Sequence, residues 1–204
     1  MMPRPNVEQQ NRFLREACLS TGSNLLDRLI RTAYLDMNRR AQGIGRIPDA
    51  HTIREQGRAV LGNRLANLRA NHNEPTVTQF DEWHRDTCQV LMQHYHAHKF
   101  PSFKAGHAQK WVNMTMKYLW CFGQDDPADV PGWYPFAHMP LDQYIVKSPE
   151  LAGIERTWRK WWEIADYDTY RQYHQKIRER FPNRCLLDVE FDLWLRMITK
   201  PGGA

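Results

Sequence analysis

Along most of the chain, apolar residues recur at intervals of three and four, the spacing of a helix with one buried face. From Val7 to about Leu19 the residues so spaced are Phe13, Leu14, Ala17 and Cys18. "STGSN" then interrupts the pattern and caps a second helix, Leu25 to Met37, with Leu26, Leu29, Ile30, Ala33 and Met37 on one face. The loop "RRAQGIGRIP", marked by glycine and proline, ends it. A third helix is predicted from Asp49 to Asn71, with Ile53, Val60, Leu61, Leu65 and Leu68 on one side and Arg54, Arg58, Arg64 and Arg69 on the other. Thr78 reads as the N-cap of a helix over 79–98. The turn "KFPSFKAG" then leads into a helix from His107 to about Phe122.

A polar loop follows, and Pro140 suits the start of a short helix holding Asp142. Further helices are predicted near 151–164, from Asp166 to about Phe181, and over "LLDVEFDLWLRMI". Residues 1–6 and the final "KPGGA" read as tails. No run of alternating β-branched residues predicts a strand. The expectation is an all-α protein of eight or nine helices, with an αα-hairpin formed by 79–98 and 107–122. One domain over 1–204 is expected, with two lobes, roughly 1–75 and 76–204, as the alternative.

Composition narrows the class. At 204 residues and 42 % hydrophobic content the chain can bury a core without metal or disulfide support. Cys18, Cys88, Cys121 and Cys185 are widely spaced, so no CxxC pair exists and the thiols are read as reduced. No apolar run approaches the length of a membrane span, and none at the N-terminus resembles a signal peptide. A cytoplasmic monomer is expected, with no cofactor and no metal. The formal charge of +5 leaves room for a polyanionic partner without requiring one.

Candidate chemistry centres on "KAGHAQKWVNMTMKYLW" and "FAHMPLDQYIV". Lys110 falls in the first turn of its predicted helix, against the positive end of the macrodipole. Lys110, Asn113 and Lys117 share a side of that helix, three and four residues apart. An unprotonated lysine amine can attack a sugar carbon and form an imine. A carboxylate beside it, Asp142, could stabilise the oxocarbenium character of a breaking glycosidic bond.

A helical hairpin, a lysine in the first turn of the next helix, and an apolar–Pro–apolar–Asp segment beyond it resemble the helix-hairpin-helix DNA glycosylases. The likeness is nearest to the 8-oxoguanine glycosylase branch. It covers residues 100–146, and the long connection between "AQKWVNM" and "MPLDQYIV" is more like the archaeal members. The resemblance implies a multi-helix glycosylase-like fold with the hairpin beside a central cleft. It implies Lys110 as the attacking amine, Asp142 as the essential carboxylate, and double-stranded DNA carrying a modified base as the substrate. The hairpin "FPSFKAGH" has one glycine, Gly106, where the family usually has two to let amides approach a phosphate. No cysteine cluster for an iron–sulfur centre is present.

Around the pair, His107, Gln109, Trp111, Asn113, Lys117, His138 and Gly106 are candidates for contact with DNA or the extruded base. A flipped base needs an aromatic slot, which Trp111, Trp120, Trp133 or Tyr134 could supply. The "WRKWW" tryptophans read as core. Glu190 is a possible second carboxylate, although "LLDVEFDLWL" reads as a core helix with exposed acids. "HYHAH" puts His94 and His98 on one face, which suits a DNA-facing cluster better than a metal site. A helical binding module in a defence system is the alternative class; a damaged base or a phage-modified base are the alternatives for substrate.

Overall fold

The structure, a computed structural model, describes residues 6–39, 44–46, 48–71, 75–124 and 126–199. Both predicted tails, apart from Asn6, and much of the glycine-marked loop lie outside these. The described chain is all-α. It has α1 (Val7–Cys18), α2 (Leu25–Asn38), α3 (Ala50–Ala70), α4 (Val77–Ala97), α5 (Ala105–Phe122), α6 (Tyr167–Arg180) and α7 (Leu186–Thr199), with five short 3₁₀ turns. Asn24 caps α2 and Asp166 caps α6 through their side chains. Thr76, not Thr78, caps α4, in a capping box closed by Gln79.

Two predicted helices are not formed. Over 151–164 the chain makes only the turns Pro149–Leu151 and Trp161–Glu163. Gly153 adopts a left-handed φ of 82°, and Trp158 and Trp161 are buried from an irregular segment instead of a helical stripe. The stretch after Pro140 is likewise irregular until the turn Ile145–Lys147. Asp142 spends its side chain capping that turn, accepting the N–H of Tyr144 at 2.8 Å and of Ile145 at 3.0 Å.

α5 is the axis of the molecule. Residues 105–117 are all buried, so no side of this stretch is a solvent-exposed surface. α2 and α4 pack along it, and the Trp161–Glu163 turn crosses its start. Trp111 is fully buried, donates its indole N–H to the Ile30 carbonyl at 3.0 Å, and meets Tyr34 edge-on at 5.1 Å between ring centres. One hydrophobic cluster runs from Leu19 to Leu193 and joins residues from both sides of position 75. α1 stands apart from it and is tied on by the Arg28–Glu16 ion pair at 2.9 Å.

Gly106 lies where α5 meets the 161–165 segment. Its N–H donates to the Ile164 carbonyl at 3.0 Å, and a β-carbon there would sit 2.1 Å from the Trp161 carbonyl oxygen. The amides at the start of α5 are therefore bonded within the protein.

Candidate active site

One face of α5 turns to a cavity of about 640 Å³ rather than to the core. That volume lies within the ~300–1,000 Å³ typical of small-molecule pockets. Lys110, Met114 and Lys117 line it from α5, Asp142 and Tyr144 from the segment opposite, and Glu190 and Trp194 from α7. The helix begins at Ala105, two residues earlier than predicted, which moves Lys110 into the second turn. Burial and a partner, not the helix terminus, define its surroundings.

Lys110 Nζ donates to Asp142 Oδ2 at 3.0 Å, with the two side chains 6 % and 15 % exposed. Burial alone would push the Asp142 carboxyl up, but Lys110 and the amides of Ile145 and Tyr144 outweigh it and hold the group below its usual range. Oδ1 is occupied by the two amides and Oδ2 by the lysine, and both residues of the pair line the cavity.

A second pair lies two helical turns along the same face. Lys117 Nζ approaches Glu190 Oε2 to 2.6 Å. The contact is a buried ion pair, and Oε1 of Glu190 is buried with no hydrogen-bond partner. Burial pushes the Glu190 carboxyl up, and Lys117 offsets this only in part. Lys117 Nζ also lies 5.1 Å from the ring centre of Trp194 and 5.5 Å from that of Phe191. The sequence did carry a signal for Glu190. It falls four residues after Leu186 and three before Leu193, on the buried stripe of α7 rather than among its exposed acids.

The other expected site residues are placed elsewhere. Gly106, His107, Gln109, Trp111, Asn113 and His138 are buried away from the cavity. The His107 imidazole takes the Lys104 N–H at 3.1 Å and closes a capping box at the start of α5. His138 and Asn113 belong to a core network of fixed polarity. Asn113 Oδ1 can only accept, so His84 donates to it from Nε2 at 2.8 Å and takes the Tyr167 hydroxyl at Nδ1, also at 2.8 Å. His138 donates from Nε2 to Asp81 at 2.8 Å and accepts the Tyr170 hydroxyl at Nδ1 at 2.9 Å. The aromatic walls of the cavity come from Tyr118, Phe122, Tyr144, Trp161, Phe191 and Trp194, whereas Trp111, Trp120, Trp133 and Tyr134 do not line it.

These imidazoles are neutral in the folded protein. Burial pushes His84 and His107 down to about 4, and pushes His138 and His174 well below their ordinary range. The unfolded chain therefore binds more protons as pH falls from 6.5 toward 4, and stability is lost in that window. Each histidine contributes a slope of about 1.4 kcal/mol per pH unit. The raised Glu190 works in the opposite direction, but it is one group against four. The melting temperature is expected to drop steeply between pH 6.5 and pH 4.5; a level or rising profile would contradict the buried network.

The basic side of α3 is partly used up in packing. Arg64 donates to Thr87 at 3.2 Å, Arg69 to the Pro127 carbonyl, and Arg58 pairs with Glu55. The "HYHAH" imidazoles donate to backbone carbonyls, each at 2.8 Å: His94 to Ile53 on α3, His96 to Phe103 in the α4–α5 turn and His98 to His94 of its own helix. No group of three or more His, Cys, Asp or Glu among the described residues could hold a metal ion. No helix among them is long and apolar enough to cross a membrane.

Compared with protein-family models, curated proteins and solved structures, the chain finds no match.

Proposed function

We propose that the protein is a DNA N-glycosylase that extrudes a modified base into the α5–α7 cavity and cleaves its bond to the sugar. The observation that carries this reading is the Lys110–Asp142 pair, 3.0 Å apart and buried in the wall of an aromatic-lined pocket. In the step envisaged, the C1′–N bond breaks and its electron pair leaves with the base, which gains a proton. Asp142, kept ionised, faces the positive charge that develops on the sugar. The proton that Lys110 gives up is the one the departing base gains; its nitrogen then bonds to C1′, and the C1′–O4′ bond breaks as a proton passes from that nitrogen to O4′, leaving a protonated imine.

Glu190 supports a guanine-derived base within this reading. Its Oε1, which has no hydrogen-bond partner, can accept an N–H of a guanine edge, while Oε2 is held by Lys117. Trp194 beside it offers a face for stacking. Glu190→Gln presents an N–H to that edge and is expected to lower excision of 8-oxoguanine by roughly 10–100-fold. An unchanged rate would remove Glu190 from base recognition.

The reading is tested on duplexes carrying 8-oxoguanine and on phage DNA with hypermodified bases, with and without borohydride. Abasic product together with a trapped protein–DNA adduct is the expected result. Abasic product without an adduct would keep base excision and remove the imine. Neither product on any substrate would overturn the reading in favour of a helical binding module.

A further inference from the structure

Gln109, the residue before Lys110, grips Leu141, the residue before Asp142. The Gln109 carboxamide oxygen accepts the Leu141 N–H at 3.2 Å, and its nitrogen donates to the Leu141 carbonyl, also at 3.2 Å. The remaining capacity is filled as well. Asn113 donates to the same oxygen at 3.1 Å, and the nitrogen donates to the Gly106 carbonyl at 3.0 Å. The side chain is fully buried. A carboxamide turned the other way would set N–H against N–H and oxygen against oxygen on Leu141, so Asn113 and Leu141 together fix its sense.

We infer that Gln109 is a positioning residue for the proposed excision reaction: its two-point hold on the Leu141 backbone sets Asp142 against Lys110. This rests on the glycosylase reading. The segment around Asp142 has no regular structure before the Ile145–Lys147 turn, so no helix of its own carries the carboxylate to α5. Apart from the Gln109 bonds, the backbone just before Asp142 is held by two long contacts, both at Met139: its N–H to His174 at 3.3 Å and its carbonyl to the Asn113 amide at 3.4 Å. Lys110 needs no such aid, because it is built on the regular helix α5. The carboxylate and the amine are therefore positioned by different means, and loss of Gln109 should separate them functionally.

The test compares Gln109→Met, which fills the space without hydrogen bonds, and Gln109→Glu, which keeps the acceptors but cannot donate. Single-turnover excision at saturating enzyme is expected to fall about 100-fold, the scale of a catalytic group misplaced by about 1 Å. Duplex affinity should stay within about threefold of wild type, because the residue is buried away from any DNA surface. Borohydride trapping on DNA with a preformed abasic aldehyde, which needs Lys110 but no glycosidic cleavage, should also stay within about threefold. Amide exchange at residues 141–145 should quicken while the rest of α5 keeps its protection.

Excision at the wild-type rate would overturn the inference. So would excision and trapping falling together in proportion to the folded fraction, since Gln109 would then only pack. Failure of the parent reading looks different: wild-type protein would neither excise nor trap. In that case the carboxyl-carbon NMR signal of Asp142 decides the positioning claim by itself. A shifted signal in Gln109→Met would uphold it, and an unshifted one would overturn it.

Discussion

Lys110→Gln is expected to abolish borohydride trapping and to lower base excision by on the order of 10³-fold or more, equivalent to about 4 kcal/mol of barrier. Glutamine is nearly as long and keeps a donor for Asp142 Oδ2. The carboxylate also retains the amides of Tyr144 and Ile145, so it stays hydrogen-bonded although its counter-charge is lost. Folding should be preserved, and duplex affinity should change by less than about tenfold, since one cation is lost from a recessed site. Excision within tenfold of wild type would remove Lys110 from the chemistry. Asp142→Asn separates the two roles further. It leaves Lys110 without its counter-charge and removes the anion that faces the developing positive charge, so excision should fall while trapping on a preformed abasic aldehyde persists.

The pairing of Lys110 with Asp142 was legible because each lies in a short segment with its own signature, 32 positions apart, and the fold brings the two segments together. What could not be read was which side of α5 faces open space. Periodicity groups residues onto a face only when one side is wet, and no side of α5 over residues 105–117 is a solvent-exposed surface. Lys110, Asn113 and Lys117 therefore read as one group. In the structure Asn113 turns toward His84 and Tyr170, while Met114 completes the cavity wall with the two lysines. Glu190 was named as a possible second carboxylate, but its charge suggested exposure although its register placed it on the buried stripe of α7. Trp161 read as core because its neighbours are tryptophans; an irregular segment delivers it to both the core and the cavity edge. Two individual helices were misplaced where local sequence was ambiguous, over 140–164, because the buried contacts of single side chains outweigh weak helical propensity there.

Gly106→Ala is expected to destabilise the protein by about 3 kcal/mol or more, although alanine is the better helix former by about 1 kcal/mol. The added β-carbon would lie 2.1 Å from the Trp161 carbonyl oxygen and 3.1 Å from the Trp161 carbonyl carbon and the Trp162 α-carbon. All three are backbone atoms, so no side-chain rotation relieves the overlap. Either the start of α5 or the 161–165 segment must move, and either shift breaks the bonds from the Gly106 and Ala105 amides to the Ile164 and Ala165 carbonyls, worth about 1 kcal/mol each. Gly62→Ala, on α3, is the matched control. Its β-carbon would meet only Ile30 Cδ1, at 3.7 Å, so the propensity gain should prevail and raise stability by about 0.5–1 kcal/mol. Denaturant midpoints of the two variants should move in opposite directions, and a Gly106→Ala protein as stable as wild type would contradict the close approach. The consequence extends to function, because Trp161 also lines the cavity. Displacing it changes the wall next to Lys110, so Gly106→Ala should lose excision even at temperatures where it stays folded. A glycine that in the hairpin family serves phosphate contact is here needed by the protein's own backbone. Under the proposed glycosylase reading, DNA is held by surfaces other than the amides at the start of α5.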